Sequence, residues 1–275
     1  MERVVALKSV AFQAGIIVGP ALFGFIFVLG RSFPYLAAVI SYGIANLLLL
    51  TVGPSAIKKL GTSGSKQAFR DALEGLKFIK KSPVLYGAIS LDLMAVLFGG
   101  AVALLPAIAE DRLGVGAVGL GWLRAGVGIG ASIVAITLSV RPLRRHIGKS
   151  LLKAVSVFGC GTIVLGLSSS FILAFVALII LSGADAISVY IRASLVPLAT
   201  PEEMRGRVLA VEGVFIGASN ELGAVESGLT AAAFGLVGAI LFGGFGTLAV
   251  VAIWWRFFPA LRNVQSFSEV KPDSS

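Results

Sequence analysis

Asp92, Arg124, Asp185 and Glu226 each stand inside a run of apolar residues. A charge in a hydrocarbon core costs at least about 2.5–3.5 kcal/mol, so each needs a partner, a water-lined cavity or a function. A carboxyl withdrawn from water favours its neutral form and suits proton binding and release near neutral pH. Asp185 and Glu226 are therefore the first candidates for proton coupling. Asp92 is a third, open between a conformational salt bridge and a cavity-lining role. Arg124 has three open readings: contact with an anionic substrate, outward snorkelling, or pairing with Glu110 or Asp111.

Spacing adds company to these groups. Helical residues advance by about 100°, which puts Glu212, Ser219, Gly223, Glu226 and Thr230 near one direction, flanked by Asn220 and Ser227. The stripe reads either as the wall of a solvated pathway or as a face hydrogen-bonded to a neighbouring helix. Glu221 points the other way and reads as a structural ion-pair member. Ser182, Asp185, Ser188 and Arg192 share a side of their own helix, with Ser182 and Ser188 as further lining candidates.

The elements that must hold these residues are transmembrane helices. The 275-residue chain is 57% hydrophobic and only 13% charged, against about 25% charged in soluble domains. Apolar stretches long enough to span fall at roughly 9–29, 34–52, 84–108, 119–140, 150–168, 171–195, 208–231 and 234–256. They are too long and too uniformly apolar for barrel strands. The expected fold is all-α, with eight transmembrane helices. The net charge of +9 does not indicate a nucleic-acid partner, because its placement follows the membrane. With Met1 cytoplasmic, the interior loops 53–83, 141–153 and 192–207 and both termini hold every Lys and Arg except Arg31, Arg112 and Arg124. This positive-inside bias puts both termini in the cytoplasm of a multi-pass plasma (bacterial inner) membrane protein.

Other chemistry is sparse. One histidine, His146, builds no metal cluster, so no metal and no cofactor are expected. The lone Cys160 reads as apolar packing. Gly114-x-Gly116-x-x-Gly119 matches a dinucleotide fingerprint but has no preceding strand, so it is rejected. No phosphate-binding loop occurs. No nucleophile–base pair supports a membrane enzyme.

The one long interior loop passes through a polar Gly/Ser tract at 61–65. Phe69, Ala72, Leu73, Leu76 and Ile79 then recur at helical spacing, which predicts an amphipathic helix over 67–81 on the membrane surface, ended by Ser82-Pro83. Thr200-Pro201-Glu202-Glu203 reads as a helix start with Thr200 as N-cap. Residues 3–24 also repeat at 207–228: Arg3, Val4, Ala6, Val10, Ala14, Gly19 and Gly24 fall on Arg207, Val208, Ala210, Val214, Ala218, Gly223 and Gly228. The copies lie on the first and seventh helices, so the repeating unit is six helices. The second unit is complete, while the first shows only its last two. The expected divisions are 1–53, the last two helices of an N-terminal bundle; 54–83, a cytoplasmic linker; 84–258, a complete six-helix bundle; and 259–275, a cytoplasmic tail.

Ala14-Gly15-Ile16-Ile17-Val18-Gly19-Pro20-Ala21-Leu22-Phe23-Gly24 resembles the helix-five antiporter motif of exporters in the major facilitator superfamily. Ser90-Leu91-Asp92-Leu93, Gly121-Trp122-Leu123-Arg124-Ala125, Gly183-Ala184-Asp185-Ala186-Ile187-Ser188 and the block from Thr200 to Gly228 are similar to its enterobactin-exporter-like branch. The loop Arg141-Pro142-Leu143-Arg144-Arg145-His146-Ile147-Gly148 is a degenerate form of that superfamily's basic loop. The resemblance implies helices five to twelve of twelve, an incomplete fold lacking the first four helices. It further implies proton-coupled export of a drug- or siderophore-like small molecule by alternating access. Gly15, Gly19, Pro20 and Gly24 would then seal or pack the cytoplasmic half of the pathway. Arg205 and Arg207 are open between inter-half salt bridges and a solvated basic face. The implied partners are the lipid bilayer, a small-molecule substrate and protons. Transport would need the missing helices or a partner; the rival reading is a truncated, non-transporting remnant or assembly subunit.

Overall fold

Pro83 sits in the first turn of a helix, where a missing N–H costs nothing. The computed structural model describes Ile26, Gly30 and residues 32–50 and 65–270. Among these, α1 is Phe33–Leu50, α2 Ser65–Lys81, α3 Pro83–Phe98, α4 Gly116–Val140, α5 Ile147–Leu167, α6 Phe171–Leu198, α7 Glu202–Phe257 and α8 Pro259–Arg262. No strand occurs among the described residues. The long 3–24/207–228 repeat has its first copy outside them, as do Gly15, Gly19, Pro20 and Gly24.

Among the described residues, five helices are long and apolar enough to cross a membrane. The first is α3 with its continuation to Arg112. Beyond Phe98 the chain tightens into a 3₁₀ turn (Gly100–Leu104), resumes as α-helix at Leu105–Ala107 and widens into a π turn over Ile108–Arg112. Gly99-Gly100 and Pro106 supply the physical cause, since neither residue type supports a regular ladder. The fifth, α7, is two helical arms joined at Gly235, whose φ of 75° and ψ of 168° only glycine adopts without strain. The sequence suggested a short connection at 232–233; the break is instead this single residue.

Two apolar cores fill the bundle. One joins Leu85 and Leu91 of α3, Leu151 of α5, Ile191 and Leu195 of α6 and Val208 of α7, and it takes in Ile79 of α2. The other joins Leu105 and Ile108 to Leu123 of α4, Leu165 of α5, Leu178 of α6 and Ile240 of α7. Within this arrangement α4 and α5 both pack on α6, and α3 packs on both arms of α7. Gly100 and Gly223 permit a close approach: a Cβ at Gly223 would stand 2.7 Å from the Val96 carbonyl oxygen. On the second arm, Trp254 donates its indole N–H to the Gly87 carbonyl at 3.0 Å.

Three local expectations change. Thr200 does not cap α7: its hydroxyl donates to the Val196 carbonyl at 2.6 Å, and Pro201 holds the N-cap position. Cys160 is exposed on α5 and does not pack inside the bundle. Arg192 does not belong to an interior loop, because α6 continues to Leu198 and buries it.

Candidate functional site: a buried arginine among carboxylates

Arg192 lies six residues before the end of α6, about 9 Å along the axis. Its Nη2 contacts Asp92 Oδ1 of α3 at 2.8 Å, and its Nη1 contacts Glu212 Oε1 of α7 at 3.4 Å. All three residues are buried. The guanidinium therefore ties three helices at one level, with the fork geometry that suits arginine to two acceptors. Its Nε finds no hydrogen-bond partner among the described residues.

Asp185 stands about two turns deeper on α6, half-buried. Among the described residues it makes no ion pair or hydrogen bond, although it lies within the field of Arg192. Asp92, Asp185 and Ser188 line one small cavity, closed by Ala95 and Val96 of α3 and by Val155 and Phe158 of α5. The Ser188 hydroxyl is buried there without a partner among the described residues. A second hydroxyl on this helix, that of Ser182, donates across to the Val127 carbonyl of α4.

The polar face of α7 divides. Ser219, Gly223 and Ser227 are buried; Gly223 meets Val96 and Leu97 of α3, and Gly223 and Ser227 meet Gly100 in the 3₁₀ turn beyond it. Asn220 is exposed and donates to the Ile216 carbonyl of its own helix. Glu226 is half-buried: Oε2 accepts from Ser227 at 3.4 Å, while Oε1 is buried with no partner among the described residues. Thr230 donates to the Glu226 carbonyl at 2.8 Å. Arg124 is exposed on α4, with no ion pair to Glu110 or Asp111; it is Arg112 that reaches inward, donating to the Ser168 carbonyl. Glu226 and Arg124 are thus not brought to the Arg192 cluster.

Near the start of α7 a second cluster forms. Arg207 pairs with Glu74 at 2.6 Å and Asp71 at 3.2 Å, both on α2. Gly75 lets α2 approach to where a Cβ would lie 2.8 Å from the Arg207 carbonyl oxygen. Ile79 and Gly75 are buried against the bundle, while Phe69 and Leu73 of the same helix remain exposed. Arg205 is exposed and donates to the Pro197 carbonyl at 3.3 Å.

Sequence reasoning passed over Arg192 as a hub, and Asp71 and Glu74 as partners. The signal for Arg192 was its place on the Asp185 side of the helix. The residue also fits the interior positive charge, which masks that signal.

Long apolar helices that hold ion pairs at depth define a multi-pass membrane protein. A family described as transmembrane secretion effector matches residues 1–272, and the chain belongs to it, within the exporter-like major facilitator proteins. It is 26% identical over 250 residues to the enterobactin exporter EntS of Escherichia coli O1:K1 / APEC, and equally to those of strains S88 and E2348/69. Each match covers 83% of this chain and 59% of the relative, so the chain spans about three-fifths of the length of these exporters. No solved structure matches it.

Proposed function

We propose that this chain supplies one bundle of a secondary active exporter of amphiphilic small molecules, driven by proton inflow. The family and the enterobactin exporters it is similar to support the export reading. The observation that carries the coupling is the buried Arg192 facing Asp92 and Glu212, with Asp185 looking into the same cavity as Asp92. Three carboxylates around one guanidinium leave uncompensated negative charge in a poorly hydrated place, which is costly. A proton on Asp185 or Asp92 relieves it. Arg192 bridges α3, α6 and α7, so a change of charge there biases how these helices sit against one another. In rocking-bundle transport that bias selects between inward- and outward-open states. Glu226, with an unpartnered buried oxygen, is the second proton candidate.

In this reading residues 84–258 form a complete six-helix bundle with both chain termini cytoplasmic. Residues 1–53 belong to the opposing bundle. The linker helix α2 lies at the headgroup layer, where exposed Phe69 and Leu73 beside Lys77 and Lys80 suit an interfacial position. Asp185→Asn in the intact transporter is expected to abolish proton-coupled efflux, measured as substrate loss against an imposed pH gradient. Unchanged coupling in Asp185→Asn, Asp92→Asn and Glu226→Gln alike would sink the assignment.

A second reading, an assembly partner that does not transport alone, draws on α1. Tyr35, Val39, Tyr42 and Leu47 of that helix are exposed, and it has no extensive contact with another described element. Flux into proteoliposomes holding this chain alone separates the two: transport refutes the partner reading, and its absence with restoration by a second bundle supports it.

A further inference from the structure

We propose that the groove between α4, α5 and α6 binds an anionic phospholipid of the cytoplasmic leaflet. Because α4 and α5 pack on α6 and hardly touch one another, a furrow of about 440 Å³ runs between them with α6 as its floor. Its walls and floor are apolar along most of their length, with Val134, Val157, Ile180 and Ile187 among them. From Ser150 to Val157 it extends roughly 10 Å, against roughly 15 Å of hydrocarbon in one leaflet.

The polar groups gather at one end. Lys153 and Ser150 line that mouth, and Arg141, Arg144, Arg145 and Lys149 lie in the adjoining loop and first turn of α5. No acidic residue occurs between Asp111 and Asp185. None of these five cations forms an ion pair among the described residues. A water-soluble anion gains nothing from the apolar floor, and a neutral lipid gains nothing from the cations. A chain with an anionic head satisfies both, and basic clefts between transmembrane helices on the cytoplasmic side are suited to such headgroups. The assignment to that leaflet rests on the positive-inside orientation.

The test is native mass spectrometry of the purified full chain titrated with phosphatidylglycerol, cardiolipin or phosphatidylcholine. Anionic lipid is expected to stay bound at concentrations where phosphatidylcholine is lost. Lys153→Glu combined with Arg145→Glu is expected to reduce retention about tenfold. Val157→Trp or Ile180→Trp, both at exposed positions, fills the furrow and leaves the cations in place; either is expected to reduce retention similarly, with helix content checked by circular dichroism. Equal retention of phosphatidylcholine, or full retention by both the charge-reversed and the filled variants, overturns the proposal. So does competition by glycerol phosphate as effective as by lipid, which would mark an anion site without an acyl slot. Cross-linking of Ile180→Cys to a second copy in place of lipid overturns it too.

Discussion

Arg192 and Arg207 stand fifteen residues apart on consecutive helices, and each faces two carboxylates. Their surroundings differ completely. The side chains of Arg192, Asp92 and Glu212 are at most 9% exposed, whereas those of Arg207 and Glu74 are 36% and 46% exposed. Exposed pairs contribute about 0–1 kcal/mol and are screened by salt. Buried pairs need not stabilise at all relative to apolar residues, but breaking one by removing a partner costs about 3–5 kcal/mol, because the remaining charge is left dry and unpaired. The same three residue types thus make a latch at the surface and an obligatory charge balance within.

The largest effect is expected from Arg192→Gln, which strands Asp92 and Glu212. Unfolding in detergent should lose about 3–5 kcal/mol, and the triple variant with Asp92→Asn and Glu212→Gln should recover most of it. A loss below about 1 kcal/mol would erase the distinction from Arg207. Next comes Gly75→Leu, which attacks the outer latch sterically where α2 meets the Arg207 backbone; overpacking there should cost about 1–3 kcal/mol, read as faster proteolysis of the 65–81 segment. Arg207→Ala should cost under about 1 kcal/mol. Raising salt from 0.1 to 1 M shortens the screening length from about 10 to 3 Å. That should abolish the Arg207 effect in a parallel melt and leave the Arg192 effect standing.

The two clusters also show what hydropathy conveys and what it omits. The long helices were legible because each is a sustained apolar run, and α2 begins within two residues of its expected start. Asp92 and Asp185 were legible as anomalies, since a lone carboxylate among Leu and Ile has no other explanation. Arg192 was not, because it satisfied the inside-positive charge distribution and so raised no anomaly, and the sequence leaves Arg207 open between a salt bridge and a solvated basic face. Their pairing depends on which helices become neighbours, and that is settled by contacts such as Gly223 on Val96 and Gly75 on Arg207. The face containing Ser219, Gly223 and Ser227 was ambiguous for the same reason. Small residues suit both a watery wall and a tight helix contact.

Gly235 has a consequence for how the protein is made. Between Glu226 and Arg256 the chain carries no charged residue, and the arms of α7 reverse through that one glycine. No charged side chain has to be carried across the bilayer to place the second arm. The two arms are therefore expected to enter the bilayer together as a helical hairpin.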